Sequence, residues 1–208
     1  MEEYLFKFED EEKLIVAGAD EAGRGPLAGP VVAAAVILPE DFPLSVLGDS
    51  KALTEKEREI AEAIIKEKAI AYAITSVSHK EIDKVNILNA SLEAMAKCYE
   101  KLKENNHIDL FLVDGNKIPP VDCKTEAIVK GDGKVPEIMA ASILAKVERD
   151  RIMELCDKKW PEYGYKKHKG YPTKAHYEAI LKYGISPISR LSFKQYKDKQ
   201  QEKENLLF

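Results

Sequence analysis

Four acidic residues stand at the end of an apolar run or in the turn just after one. Leu14-Ile15-Val16-Ala17-Gly18-Ala19 runs into Asp20-Glu21, and Leu110-Phe111-Leu112-Val113 runs into Asp114. Thr125 to Val129 is followed by Gly131-Asp132-Gly133. Singly, each acid has an ordinary reading. Asp-Gly at 114–115 and 132–133 is turn chemistry, and Asp20 or Glu21 could cap whatever follows. The set asks for more. If the first and fourth strands are neighbours, Asp20 and Asp114 converge at one edge of the sheet, and Asp132 need only reach across from the next loop. Like charges in a small volume cannot all stay ionised without a counter-charge. Divalent cations supply one. Mg²⁺ takes carboxylate and water oxygens at about 2.0–2.1 Å. Two such ions about 3.5–4 Å apart can activate a water and stabilise the leaving oxygen in phosphodiester hydrolysis.

Other chemistries fit less well. The 4 histidines include none paired at metal-binding spacing near these acids, which argues against zinc. Cys98, Cys123 and Cys156 have no CxxC or Cys/His ligand spacing and read as small apolar residues buried in a reducing cytosol. Gly23-x-Gly25-x-x-x-Gly29 is one residue too long for a dinucleotide-binding fingerprint, and it precedes a strand where that motif needs a helix. Gly18-x-x-x-x-Gly23 is followed by Arg-Gly where a phosphate-binding loop needs Lys and then Ser or Thr.

The elements that must hold the acids are legible as periodicity. Val31 to Leu38 is apolar throughout, as in a strand covered on both faces. Ala71 to Val77 reads as another strand. Thr54-Glu55-Lys56-Glu57 has the form of a capping box and opens a helix expected to turn Ile60, Ala63 and Ile64 inward. Leu88, Leu92, Met95, Tyr99 and Leu102 step by three and four, which predicts an amphipathic helix over 87–103. Pro136 suits a helix's first turn, and 136–157 reads helical, with Ala140, Ala141, Ser142 and Ala145 small enough for close approach to a sheet. Thr173 can cap a last helix and Gly184 can stop it. Together these imply an α/β chain with a mixed five-stranded sheet, helices on its faces and a helical C-terminal extension. Residues 1–160 are expected to form the core and 161–208 a basic helical region packed on it, with a polar tail from Gln200.

Charge is divided unevenly. Lys158 to Lys199 carries ten lysines and Arg190 against three acids, a net +8, which leaves −12 on the rest of a chain whose total is −4. With Trp160, Tyr163, Tyr165, Tyr171, Tyr177, Tyr183 and Phe193 interleaved, this segment can meet phosphates and stack on sugars or bases. It can equally be a solvated lysine-rich face. The acidic start, Met1 to Asp10, lacks a secretory signal, and no apolar stretch approaches the roughly 18–20 residues that span a bilayer. A cytoplasmic protein with no membrane partner is expected.

Asp20-Glu21-Ala22-Gly23-Arg24-Gly25-Pro26-Leu27-Ala28-Gly29-Pro30-Val31 resembles the N-terminal signature of ribonuclease HII, the type 2 ribonuclease H. The resemblance continues through Asp49-Ser50-Lys51, Val113-Asp114-Gly115, Lys130-Gly131-Asp132, the stretch Ala140 to Val147 with Arg149-Asp150, and Gly170-Tyr171-Pro172-Thr173 with His176. It covers about residues 14–194. Ribonuclease HIII carries a different turn after its acid pair, and the Gly170 to Lys174 stretch is more similar to the bacterial branch than to the archaeal one. The resemblance implies an RNase H-like fold, with Asp20, Glu21, Asp114 and Asp132 as catalytic ligands of two Mg²⁺ or Mn²⁺ ions. It implies a substrate of RNA/DNA hybrid, or of DNA duplex containing single ribonucleotides, cut 5′ to the ribonucleotide to leave 3′-OH and 5′-phosphate. It also implies that the Gly23-Arg24-Gly25 turn and Tyr171 recognise the ribonucleotide–deoxynucleotide junction. Chemistry agrees: the 2′-OH is the backbone group that marks RNA, and glycines let backbone reach it without a Cβ in the way. Arg24 can contact a phosphate, and Tyr171 can pack on the following sugar. Lys51, Ser142, Lys146 and His168 are secondary candidates for phosphate contact or support of the site, and a monomer is expected. Two other classes share the scaffold's features. An integrase-like strand-transfer nuclease has no reason to keep the Gly-Arg-Gly turn and Tyr171, and a catalytically silent hybrid-binding module would lose at least one of the acids.

Overall fold

The computed structural model describes residues 14–48 and 53–194. Lys51, with the Asp49-Ser50-Lys51 stretch, the acidic N-terminus and the tail from Gln200 lie outside the described residues.

Five strands form one mixed sheet: β1 (Val16–Ala22), β2 (Val31–Ile37), β3 (Ala71–Val77), β4 (Leu110–Asp114) and β5 (Thr125–Ile128). Their order is β3-β2-β1-β4-β5, with β1 antiparallel to β2 and parallel to β4, and β4 parallel to β5. The first and fourth strands are therefore neighbours. β1 runs further than its apolar residues do, because Asp20 and Glu21 stay in register with Ala34 and Ala33 of β2. The acid pair thus sits inside the strand's last stretch instead of beyond it.

Residue parity sorts the two faces. Ala17, Ala19, Val31, Ala33, Ala35 and Ile37 pack toward α3 (Ile87–Lys103). Ala34 and Val36 pack toward α1 (Glu55–Lys68) and α4 (Pro136–Lys159). Alternation along a strand makes this the expected division. It places Gly18 and Asp20 on the α4 face and Glu21 on the other. At Gly18 a Cβ would fall 2.5 Å from the Glu137 backbone, so this glycine sets how closely α4 seats. Ala140, Ala141 and Ala145, all at 0% exposure, complete that contact.

Two helix phases differ from expectation. The Thr54 capping box is present, with Glu57 bonded reciprocally, but Ile60 is 53% exposed while Ala61, Glu62 and Ile65 are buried. The inward stripe of α1 includes Glu62, which Arg151 and Lys66 neutralise at 3.0 and 2.7 Å. An acid in the stripe disguises its phase. On α3, Met95, Tyr99 and Leu102 are buried as expected, but Leu88 and Leu92 are only partly so. Ala90, Ala94 and Cys98 face the sheet instead, where small side chains let the backbones approach. The Cys98 thiol donates to the Ala33 carbonyl at 3.4 Å. Cys123 and Cys156 are half-buried free thiols.

After α4 come two short pieces, α5 (Tyr165–His168) and α6 (Lys174–Tyr183), the latter capped by Thr173 and ended at Gly184. A further helix, α2 (His79–Val85), follows β3 under a Ser78 cap. No helix among the described residues is long and apolar enough to cross a membrane.

Candidate active site

The C-terminal ends of β1, β4 and β5 meet at one place. Register pairs Ala19 with Val113, so Asp20 and Asp114 follow side by side on adjacent parallel strands. Asp114 pairs with Ile128 at the end of β5. The chain then turns through Lys130, held at φ 59°, into the Gly131–Gly133 turn that carries Asp132. Asp114 fixes that turn directly: its Oδ1 accepts the Gly131 N–H at 2.7 Å and the Asp132 N–H at 3.4 Å. Segments 17 and 18 residues apart in sequence are tied through one carboxylate.

Asp20 is the buried member, 5% exposed against the first turns of α4. Burial, then the charges of Glu21 and Asp114, push its carboxyl well above the usual range. Hydrogen bonds from the Ser142 hydroxyl and the Glu21 N–H pull the other way. Glu21, on the opposite face, accepts from Arg24 Nη1 at 3.4 Å. Asp20 thus feels the charges of both Glu21 and Asp114, and Asp132 is bonded to Asp114 through its backbone. Among the described residues, no three acids, histidines or cysteines form a ready ligand shell. One oxygen each of Asp20, Glu21 and Asp114 is engaged on a neighbouring N–H. The donor set is nonetheless all carboxylate oxygen, which suits a hard divalent cation and not zinc.

Beside the acids lies the loop from Gly23 to Pro30, and it is held by two buried arginines. Arg190 Nε donates to Gly29 O at 2.9 Å, its Nη1 to Arg24 O at 3.2 Å, and its Nη2 to Gly23 O and Pro30 O at 2.7 and 3.0 Å. Arg149 donates to Pro30 O at 3.1 Å, Ala28 O at 3.2 Å and Lys169 O at 3.0 Å. The Lys169 bond links the loop to the Gly170-Tyr171 segment, which also receives the Leu27 N–H on Gly170 O at 2.8 Å. Gly23 sits at φ +102°, and a Cβ there would meet Arg149 Nε at 2.1 Å. A Cβ on Gly25 would stand 3.4 Å from the Tyr171 ring. Tyr171 is 43% exposed, and the Arg149 guanidinium lies 6.0 Å from its ring centre.

Behind Tyr171, His168 and His176 stack at 4.5 Å. The Gly170 N–H donates to His168 Nδ1 at 3.2 Å, so the ring proton sits on Nε2 and is given to Tyr163 O at 2.8 Å. Both His168 nitrogens are spent on backbone, which leaves none for a phosphate. His176 Nδ1 bonds Tyr171 O at 3.0 Å. Lys146 pairs with Asp150 at 2.7 Å on the α4 face beyond Ser142.

The basic C-terminal segment divides in two. Lys158, Lys159, Lys166, Lys167, Lys174 and Lys182 are exposed, but Arg190, Tyr163 and Tyr165 are core residues and meet no phosphate. Arg149, Arg190 and His176 are thus site-building residues; Arg149 and His176 stand in the resemblance without a role, and Arg190 is counted there only among the basic residues. The loop carbonyls that the two arginines reach lie 119 to 167 residues away, and no spacing signals them.

The ribonuclease HII family model matches residues 17–196. A ribonuclease HII of Francisella philomiragia is 55% identical over 181 residues, covering 87% of this chain and 97% of that protein. The crystal structure of ribonuclease H2 from Pyrococcus horikoshii superposes with a TM-score of 0.74 at 28% identity, covering 92% of this chain and 99% of the other. Bst-RNase HIII in complex with Mn²⁺ shares the fold, with a TM-score of 0.71 at 17% identity over 92% of this chain and 71% of the other. The mixed sheet and its helices are an RNase H-like fold, and the chain belongs to the ribonuclease HII family, a family of endonucleases.

Proposed function

We propose that this protein cleaves the RNA strand of RNA/DNA hybrids, and cuts 5′ to single ribonucleotides embedded in duplex DNA, leaving 3′-OH and 5′-phosphate ends. The observation that carries this reading is the meeting of Asp20, Asp114 and the Asp132 turn at the C-terminal ends of three adjacent parallel strands, with Asp114 as the tie. Asp20, Glu21, Asp114 and Asp132 would hold two Mg²⁺ or Mn²⁺ ions. Bound there, the ions supply neutralising charge and the activation of a water for attack on the phosphodiester. Family membership supports the hybrid substrate, and the Mn²⁺ complex of a fold relative supports a divalent metal of this class.

The chain's own groups do the rest. Ser142 orients the Asp20 carboxyl. Arg24, half exposed beside Glu21, is placed to meet a backbone phosphate. Gly23, Arg24 and Gly25 offer backbone donors to a 2′-OH, and Tyr171 offers a flat face to the next sugar, where an extra hydroxyl would clash. The exposed lysines from 158 to 182 supply non-specific attraction to the duplex.

A DNA duplex carrying one ribonucleotide tests this. It should be nicked with Mg²⁺ or Mn²⁺ and left intact with EDTA, and all-DNA duplex should be left intact throughout. Equal cutting of the all-DNA duplex would sink the reading.

A further inference from the structure

The hold on the Gly23–Pro30 loop is stronger than a surface turn needs. Arg149 and Arg190 are 1% and 0% exposed, and their guanidinium donors go to backbone carbonyls of this loop and of Lys169. Burying two cations is costly, and burial lowers the Arg149 guanidinium from its usual range. Apolar side chains would fill the space at less cost. A guanidinium does what they cannot: it presents several donors in a fixed planar fork.

That fork dictates the orientation of the turn. A trans peptide carries its C=O and N–H on opposite sides. Arg190 draws in the carbonyls of Gly23 and Arg24, so the N–H groups of Arg24 and Gly25, which belong to those same two peptides, are turned away from the arginines. A carbonyl that accepts from a cation also polarises its own N–H and strengthens it as a donor. The turn lies next to Tyr171, and Arg149 ties the two together by bonding loop carbonyls on one side and Lys169 O on the other.

We propose that Arg190, backed by Arg149, is a positioning residue for ribonucleotide recognition, holding the Arg24 and Gly25 N–H donors toward the 2′-oxygen of the ribose at the junction. The inference rests on the junction reading above. It makes the arginines part of substrate selection although neither needs to touch nucleic acid. Arg190→Gln removes the charge and most of the fork. Arg190→Lys keeps the charge but reaches fewer of the four carbonyls.

The test compares kcat and KM of Arg190→Gln, Arg190→Lys and Tyr171→Ala on a duplex with one ribonucleotide and on a long RNA/DNA hybrid, with melting temperatures alongside. For Arg190→Gln the expected loss in kcat on the single ribonucleotide is on the order of tenfold. The loss on the hybrid is expected to be smaller and KM little changed, with Arg190→Lys intermediate. Equal losses on both substrates, or none, would overturn the inference and leave Arg190 a fold-stabilising residue. If Tyr171→Ala also fails to discriminate, the junction reading has failed. If Tyr171→Ala discriminates and Arg190→Gln does not, only the role of Arg190 has failed. Should neither arginine variant fold, the amide signals of Arg24 and Gly25 in the unaltered protein decide, read with EDTA present. Shifts with the ribonucleotide duplex and not with all-DNA duplex support presentation of these donors, and equal shifts refute it.

Discussion

The acid corner and the neighbouring loop solve opposite electrostatic problems. At the acid corner negative charges crowd together, and Glu21 and Asp114 work with burial against the ionisation of Asp20. In the loop, positive charge is buried instead, and it is answered by the carbonyl dipoles of Gly23, Arg24, Ala28, Gly29 and Pro30. The loop is satisfied within the protein. At the corner the burial of Asp20 and its acidic neighbours oppose its charge, and the proposed function answers them with divalent cations. A braced turn and an acid-rich corner therefore sit side by side, joined through the short stretch from Glu21 to Gly23. The lesson is that a turn can be made rigid beside crowded acids without adding any charge to them.

Breaking the corner should have the largest effect. Asp20→Asn removes the charge while preserving shape, and cleavage is expected to fall on the order of 10³-fold or more, since several kcal/mol of transition-state stabilisation are lost at tenfold per ~1.4 kcal/mol. Substrate binding should survive, so a gel-shift in EDTA would show a normal complex. A variant that still cuts would remove Asp20 from the site.

Breaking the loop should first cost stability. Arg149→Met fills similar volume but leaves the carbonyls of Ala28 and Lys169 without their donor and Pro30 O with Arg190 alone. At roughly 1 kcal/mol or more for each of the two, a loss of about 2 kcal/mol is expected from denaturant unfolding. A neutral result would show that water replaces the guanidinium freely and that the loop is not braced.

The contrast between the regions is sharpened by Tyr171→Ala. It should lower cleavage at a single ribonucleotide about tenfold, the scale of one stacked contact, and lower cleavage of a long hybrid less. An equal effect on both substrates would reduce Tyr171 to a rim residue.

The smallest effect concerns acidity. Burial lowers the imidazoles of His168 and His176 below their usual range. With folded values depressed beneath the unfolded ~6.5, the stability they support is complete above that pH and is lost as pH falls below it. Protonated His168 can no longer accept the Gly170 N–H. Melting temperature should therefore decline from pH 7 to 5, and His168→Asn should flatten the decline. An unchanged slope would show that other groups carry the acid sensitivity.

What was legible in the sequence follows the same division. Asp20, Asp114 and Asp132 stand at the ends of apolar runs, so strand periodicity alone marks their places, and the boundaries of β3 and α3 were readable to the residue. Parity then determines that Asp20 faces α4. The arginine brace was not legible, because Arg149 sits within a long helix and Arg190 within a lysine-rich stretch. Nothing local shows that both reach back 119 to 167 residues. Charge counting places Arg190 in a segment read as either phosphate-meeting or solvated, and it is neither, being fully buried. The phase of α1 was lost for a related reason, since Glu62 is tolerated in the inward stripe only because Arg151 and Lys66 reach it.

The most direct measurement is an anomalous-scattering map of crystals soaked in Mn²⁺. The expected result is density within about 2–2.5 Å of Asp20 and Asp114 carboxylate oxygens, with Glu21 or Asp132 completing the set. Manganese bound elsewhere, with no peak within about 4 Å of Asp20, would contradict the convergence of these acids on a metal.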